Sequence, residues 1–112
     1  MKKNIINKEG IPTIQVSNPA ELAGLRVIDV RGPDEYIGEL GHINGAELVT
    51  LGEELEAFLN REDKNQDIVF VCRSGMRSGR ATEQARALGF KQVFNLEGGM
   101  IYWNKMNFPV KL

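Results

Sequence analysis

Residues 67–78 have the sequence DIVFVCRSGMRS, and this stretch indicates the class of fold. Its first part, residues 67–71, is apolar after the aspartate, which is typical of a parallel strand covered on both faces. A polar loop beginning at Cys72 follows, and the spacing of apolar residues predicts a helix over residues 78–88. A strand that leads through a short loop into a helix is the repeating unit of α/β proteins. The stretch therefore predicts an α/β fold with Cys72 at the carboxyl end of a strand.

The rest of the chain continues this alternation of strands and helices. Further strands are predicted over residues 13–16, 26–30, 46–49 and 92–96, the first of them at an edge of the sheet. Helices are predicted after Asn18, Gly32 and Thr50 and around residues 101–103. Thr50 and Glu53 have the spacing of a capping box. Together these patterns predict three layers, with helices on both faces of a mainly parallel central sheet of about five strands.

Length and charge limit the class of protein. A chain of 112 residues is expected to form one domain, and we interpret residues 1–11 as a polar leader and residues 12–112 as that domain. Fourteen basic and 15 acidic residues give a net charge of -1, which argues against a nucleic-acid-binding protein. No stretch reaches the roughly 20 apolar residues that span a bilayer, and no signal peptide is seen. We therefore expect no membrane partner and a cytoplasmic location.

The chain contains one cysteine, Cys72, and one histidine, His42. A single cysteine excludes an internal disulfide, a Cys-x-x-Cys redox pair and a zinc site built on several thiolates. A single histidine excludes most histidine-rich metal sites. We expect no metal and no cofactor. Glycines on both sides of His42 favour a structural imidazole over a general base.

The loop after Cys72 has the composition of an anion-binding cradle. A lone cysteine is commonly a buried small apolar residue, but here the next residues are polar, flexible or cationic. Backbone N–H groups that curl before a helix can bind an anion, and with nearby guanidinium groups they lower the pKa of a thiol. Met76 could line the mouth of such a site or pack inward. The candidate residues of the loop are Arg73, Ser74, Gly75, Met76, Arg77 and Ser78.

Four segments of the chain carry further motifs in order. They are VIDVR at residues 27–31 with Glu35-Tyr36, GHINGA at residues 41–46, CRSGMRS at residues 72–78, and Gly89-Phe90 with VFNLEGG at residues 93–99 before Trp103. Over about residues 12–108 this order resembles the rhodanese-like sulfurtransferases, and it is similar to their single-domain members. The resemblance implies the rhodanese-like three-layer fold. One departure is ELVT at residues 47–50, which lacks a proline often found there in the family.

The resemblance also implies a reaction. In this family the cysteine thiolate attacks the outer sulfur of a donor such as thiosulfate, becomes a persulfide and passes the sulfur to cyanide or a thiol. Cys72 would be the nucleophile, the backbone N–H groups of residues 73–78 would stabilise the persulfide, and Arg73 and Arg77 would attract the small anionic donor. Because the chain has no second cysteine, the acceptor would be external, such as a small thiol or a thioredoxin-like protein.

Two other functions stay open from the sequence. Thiol phosphatases and arsenate reductases of this fold need an arginine at the sixth position after the cysteine, where it can hold the oxyanion through two parallel hydrogen bonds. Here Ser78 occupies that position and Arg77 comes one residue early. The other alternative is a partner-binding module, although such modules typically lack the cysteine that this chain has.

Polar residues outside the loop have less specific interpretations. Asp29 and Arg31 end a predicted strand at the same sheet edge, where they could support the loop. A buried ion pair that fixes a turn is the interpretation we favour, since a charge there needs a partner. Tyr102, Trp103 and Phe108 are expected to be core residues.

Overall fold

The computed structural model describes residues 3–112 and contains a six-stranded sheet. Its strands are β1 (Asn4–Lys8), β2 (Ile11–Gln15), β3 (Arg26–Asp29), β4 (Glu47–Leu48), β5 (Asp67–Val71) and β6 (Gln92–Leu96). They lie in the order β1-β2-β6-β5-β3-β4, and every neighbouring pair except β1 and β2 is parallel. The mainly parallel α/β fold predicted from the sequence is therefore confirmed, with one strand more than expected.

The additional strand lies where a polar leader was predicted. From Asn4 onward that prediction is wrong: β1 pairs antiparallel with β2 through a turn at Glu9 and Gly10, so β2 is not an edge strand. Met1 and Lys2, the start of the predicted leader, lie outside the described residues. Most side chains of β1 are exposed on both faces. Its sequence NIINK consequently lacks the alternation by which a half-buried strand is recognised.

The helices lie on both faces of the sheet. They are α1 (Pro33–Tyr36), α2 (Glu53–Arg61), α3 (Met76–Ala87) and α4 (Gly99–Lys105), with a 3-10 helix at Pro19–Leu22. Alternate residues of β5 contribute to different cores: Ile68 and Phe70 pack with α2 and α3, and Val69 and Val71 pack with α4. This two-sided burial explains the continuous apolar sequence of β5. No helix within residues 3–112 is long and apolar enough to cross a membrane.

Three predictions about local structure have different outcomes. The capping box at Thr50 is wrong, because Gly52 is the N-cap of α2; the Thr50 hydroxyl donates instead to the carbonyl of Arg31 at 2.9 Å. Trp103 is a buried core residue as expected, whereas Tyr102 and Phe108 are only partly buried. The His42 ring stacks on Tyr36, with ring centres 3.7 Å apart, and its Nδ1 lies 2.8 Å from the Tyr36 carbonyl oxygen. These contacts agree with a structural histidine.

Candidate active site

Cys72 is the first residue after β5, and four residues later α3 begins at Met76. The intervening loop turns sharply at Gly75, which has a φ of 105° and is the N-cap of α3. A left-handed φ of this kind is accessible to glycine at little cost. The turn brings the loop back over the cysteine, whose residue surface is only 1% exposed. Both the strand end and the helix start therefore position the thiol.

The Cys72 sulfur receives hydrogen bonds from the loop and from α3. The backbone N–H of Gly75 donates to Sγ at 3.1 Å, and the hydroxyl oxygen of Ser78 lies 3.2 Å from Sγ. Ser78 Oγ also lies 2.5 Å from Oδ1 of Asn95 on β6, and Nδ2 of Asn95 donates to the Gly75 carbonyl at 3.0 Å. Asn95 thus connects the two groups that contact the sulfur. This role of Asn95 could not be predicted from the sequence, since Asn95 is 17 residues from Ser78.

These contacts change the acidity of the thiol. Burial acts to raise the pKa of Cys72, but hydrogen bonds from the Ser78 hydroxyl and from the backbone N–H groups of Ser78, Gly75 and Ser74 outweigh it. The pKa of Cys72 is therefore lowered from its ordinary value, in the direction expected from the sequence. The lowering comes from hydrogen bonds, whereas the sequence had suggested a combined effect of backbone N–H groups and guanidinium charges. A thiolate is the nucleophilic form of cysteine.

The two arginines of the loop have different surroundings. Both terminal nitrogens of Arg77 donate to the carboxylate of Glu35, at 2.7 and 2.8 Å. This hydrogen-bonded ion pair lowers the pKa of Glu35 to about 2, so the pair stays charged at neutral pH. Arg73 is exposed and forms no ion pair in the described part of the chain. Arg73 is thus available to an approaching anion, whereas Glu35 already engages two of the five N–H donors of Arg77.

The remaining predicted loop residues lie at the surface of the site. Ser74 and Met76 are exposed, and Met76 is 72% exposed. Met76 lines a cavity of about 260 Å³ that lies between α3 and the β1–β2 hairpin. Its exposure excludes inward packing.

The N-terminus of α4 holds the other side of the loop. The backbone N–H groups of Met100 and Ile101 donate to the carbonyls of Cys72 and Arg73, at 2.9 and 3.0 Å. Gly99 makes this approach feasible: a Cβ there would lie 2.5 Å from the Cys72 carbonyl oxygen and 2.6 Å from that of Arg73. Gly99 was not predicted from the sequence as a site residue. The only signal was the Gly98-Gly99 pair before the last helix.

Asp29 and Arg31 form a buried ion pair beside the site. Both side chains are 1% exposed, and Nη2 of Arg31 donates to Oδ2 of Asp29 at 2.8 Å. The same nitrogen donates to the carbonyl of Gly41 at 2.7 Å. Neither side chain hydrogen-bonds to the loop of residues 72–78. This geometry agrees with a pair that fixes the turn between β3 and α1. Across residues 3–112 no three acidic, histidine or cysteine side chains cluster as a metal site would require.

Comparison with known proteins identifies relatives of this chain. Thiosulfate sulfurtransferase 18 of Arabidopsis thaliana is 31% identical over 120 residues, which cover 91% of this chain and 85% of the relative. Thiosulfate sulfurtransferase GlpE of Shewanella oneidensis is 29% identical over 93 residues, covering 83% and 89% of the two chains. YrkF of Bacillus subtilis is 39% identical over 79 residues, but the match spans only 41% of YrkF.

Solved structures show the same fold. A rhodanese-related protein from Thermoplasma volcanium superposes with a TM-score of 0.78 at 28% identity, covering 89% of this chain and 97% of the other. A Rhodopseudomonas palustris protein of unknown function, described as a possible tyrosine phosphatase, gives 0.81 at 27% identity, with 92% and 86% covered. The family model of the Rhodanese-like domain matches residues 14–106, which run from the end of β2 through α4 and include the loop after Cys72. The chain therefore belongs to the rhodanese-like domain family.

Proposed function

We propose that this protein is a sulfurtransferase that carries sulfane sulfur as a persulfide on Cys72. The observation that supports this most directly is the Cys72 sulfur itself, which accepts hydrogen bonds from Gly75 and Ser78 and has a lowered pKa. A buried thiol with these donors is prepared to become a nucleophilic thiolate. Relatives named as thiosulfate sulfurtransferases support the same class of reaction.

The first half of the proposed reaction loads the enzyme. The Cys72 thiolate attacks the outer sulfur of thiosulfate, a new S–S bond forms, and the bond between the two donor sulfurs breaks. Sulfite leaves with the electron pair of that bond. The backbone N–H groups of the loop then face the sulfur chain, where they stabilise its negative charge. Arg73, exposed and without an ion pair among the described residues, is the cation best placed to attract the donor.

The second half unloads the enzyme. A nucleophile such as cyanide or a thiolate attacks the outer sulfur of the persulfide, and the Cys72 thiolate is released. This is thiolate exchange at a sulfur atom, with no net need for an oxidant or a reductant. Because Cys72 is the only cysteine, the accepting thiol must belong to another molecule, either a small thiol or a thioredoxin-like protein. A reducing cytoplasm would supply such thiols and keep Cys72 free.

Phosphatase or arsenate reductase activity has weaker support. Those reactions need a guanidinium that folds over the oxyanion from the sixth position after the cysteine. Here that position is Ser78, whose buried hydroxyl contacts Sγ, and Arg77 is turned toward Glu35. A partner-binding module without catalysis would have no use for a thiol with a lowered pKa.

The activity test is sulfur transfer from thiosulfate to cyanide, followed as thiocyanate. Wild type should form thiocyanate with ping-pong kinetics, and Cys72→Ser should form none while retaining the wild-type circular dichroism spectrum. Hydrolysis of an aryl phosphate should be absent in both proteins. Aryl phosphate hydrolysis that depends on Cys72, without thiocyanate, would replace this proposal with the phosphatase. The absence of both activities would favour the binding module.

A further inference from the structure

We propose that Glu35 determines the charge preference of the site and favours singly charged sulfane-sulfur donors over doubly charged thiosulfate. The proposal rests on the proposed sulfurtransferase function and concerns the donor that the site selects. It starts from the pairing of Glu35 with Arg77, which neutralises one of the two cations in the loop.

The ion pair has a fixed and nearly ideal geometry. Two parallel hydrogen bonds of 2.7 and 2.8 Å join the guanidinium of Arg77 to the carboxylate of Glu35. Oε1 of Glu35 also accepts the backbone N–H of Gly32 at 3.1 Å, which fixes the carboxylate at the start of α1. A carboxylate held from both sides does not leave Arg77 easily when an anion arrives.

Both partners of the ion pair are partly exposed to solvent. The side chain of Glu35 is 34% exposed and that of Arg77 is 37% exposed, so neither charge is sealed in the core. Glu35 also lines a surface cleft of about 250 Å³ together with Arg73 of the catalytic loop. The carboxylate consequently faces the same opening as the exposed guanidinium.

The cleft carries more negative than positive charge. Its lining includes Arg73 and the three carboxylates of Asp34, Glu35 and Glu39. Arg77 compensates one of these carboxylates through its ion pair. Each additional negative charge on a donor therefore meets net repulsion on this side of the loop. Thiosulfate carries two negative charges, whereas a thiosulfonate or a simple alkyl persulfide carries one.

The test compares two donors that differ by one charge. Thiosulfate and methanethiosulfonate both present a terminal sulfur bonded to a tetrahedral sulfur, but a methyl group replaces one charged oxygen in the second. Values of kcat/KM for each donor, with cyanide as the acceptor, give a charge-preference ratio of thiosulfate to methanethiosulfonate. A variant that changes the folded fraction or the thiolate population of Cys72 changes kcat/KM for both donors alike, and such changes cancel in this ratio.

Glu35→Gln removes the negative charge and retains an oxygen that can accept the Gly32 N–H. We expect the charge-preference ratio to rise by about three- to tenfold, as for one unit charge removed near the donor. The increase should shrink as salt is added. Arg77→Gln should move the ratio in the opposite direction because it leaves Glu35 without its cation.

Glu47→Gln is the matched control. Glu47 forms a similar ion pair with Arg26, at 2.6 and 2.8 Å, but Arg26 lies at the start of β3, at the opposite end of the strands from Cys72. This variant should leave the charge-preference ratio unchanged. A ratio that stays constant in Glu35→Gln, or rises equally in Glu47→Gln, would overturn the role of Glu35. Failure of wild type to transfer sulfur from either donor would instead overturn the sulfurtransferase function on which the proposal rests.

Discussion

The hydroxyl of Ser78 lies 3.2 Å from the sulfur of Cys72. The one proton of this hydroxyl lies within reach of two possible acceptors, of which the sulfur is the first. The second acceptor is Oδ1 of Asn95, 2.5 Å from Ser78 Oγ. With a neutral thiol, the S–H can donate to Ser78 while Ser78 donates to Asn95. With a thiolate, Ser78 must turn its proton to the sulfur. Ionisation of Cys72 is thereby coupled to the buried hydrogen bond between Ser78 and Asn95.

Ser78→Ala should raise the pKa of Cys72, because it removes the largest of the interactions that lower it. Loss of a hydrogen bond to a charged acceptor predicts an ionisation constant of the Cys72 thiol that is about tenfold smaller. The pKa can be measured from the ultraviolet absorbance of the thiolate during a pH titration, with Cys72→Ala as the blank. Ser74→Ala is the control, since Ser74 is exposed and only its backbone N–H acts on the sulfur. Equal titration curves for Ser78→Ala and wild type would contradict this prediction.

Gly99→Ala should weaken both stability and sulfur transfer. The new Cβ would overlap the carbonyls of Cys72 and Arg73, and Gly99 has a φ of 55°. We expect a loss of about 2 kcal/mol in the free energy of unfolding, measured in urea, and a lower kcat. Gly45→Ala is a useful control because its φ is 87° but no atom lies within 4 Å of the added Cβ. If Gly45→Ala reduced kcat as much as Gly99→Ala, the close approach of α4 to the loop would not be the cause.

The ion pair of Glu35 and Arg77 should make stability depend on pH in the acidic range. The pKa of Glu35 is about 2 in the folded protein, below its ordinary value of 4.5. A lowered carboxylate pKa stabilises the fold above the unfolded value and loses this effect as pH falls through the folded value. The difference in free energy of unfolding between wild type and Glu35→Gln should therefore be constant near neutral pH and shrink between pH 4.5 and about 2. A difference that does not change over this range would contradict the assignment.

Arg31→Met should destabilise the protein strongly without a direct effect on the reaction. It leaves the carboxylate of Asp29 buried without its cation, which typically costs about 3–5 kcal/mol. The urea midpoint should fall accordingly, while kcat per folded molecule stays within about twofold of wild type. Arg26→Met removes a partly exposed ion pair and should cost only about 1 kcal/mol. If Arg31→Met were fully folded and still had a much lower kcat, the ion pair of Asp29 and Arg31 would be needed to position the catalytic loop.

The parts of the fold that the sequence predicted are those whose burial leaves a pattern. Strands β5 and β6 have the predicted bounds, and the helix predicted after Thr50 is α2, which buries Leu55, Phe58 and Leu59. Strand β1 was missed because its side chains are mostly exposed. Thr50 has the capping pattern, but α2 begins later, with Gly52 as its N-cap, and the Thr50 hydroxyl donates to the carbonyl of Arg31.

The same limit applies to the candidate site. Cys72 and its loop are contiguous, so their chemistry could be predicted from local sequence. The partners that adjust this chemistry are distant along the chain: Glu35 lies 42 residues from Arg77, and Asn95 lies 17 residues from Ser78. Neither pairing follows from spacing, because only the sheet order brings these elements together.

The formation of a persulfide on Cys72 is tested most directly by intact mass spectrometry. The protein is incubated with thiosulfate in the absence of reductant, measured, and measured again after cyanide is added. The proposed mechanism predicts a gain of one sulfur atom that maps to the peptide containing Cys72, is absent in Cys72→Ser, and is lost to cyanide as thiocyanate. Folded wild type that gains no sulfur from thiosulfate or methanethiosulfonate, or a gain that persists in Cys72→Ser, would contradict it.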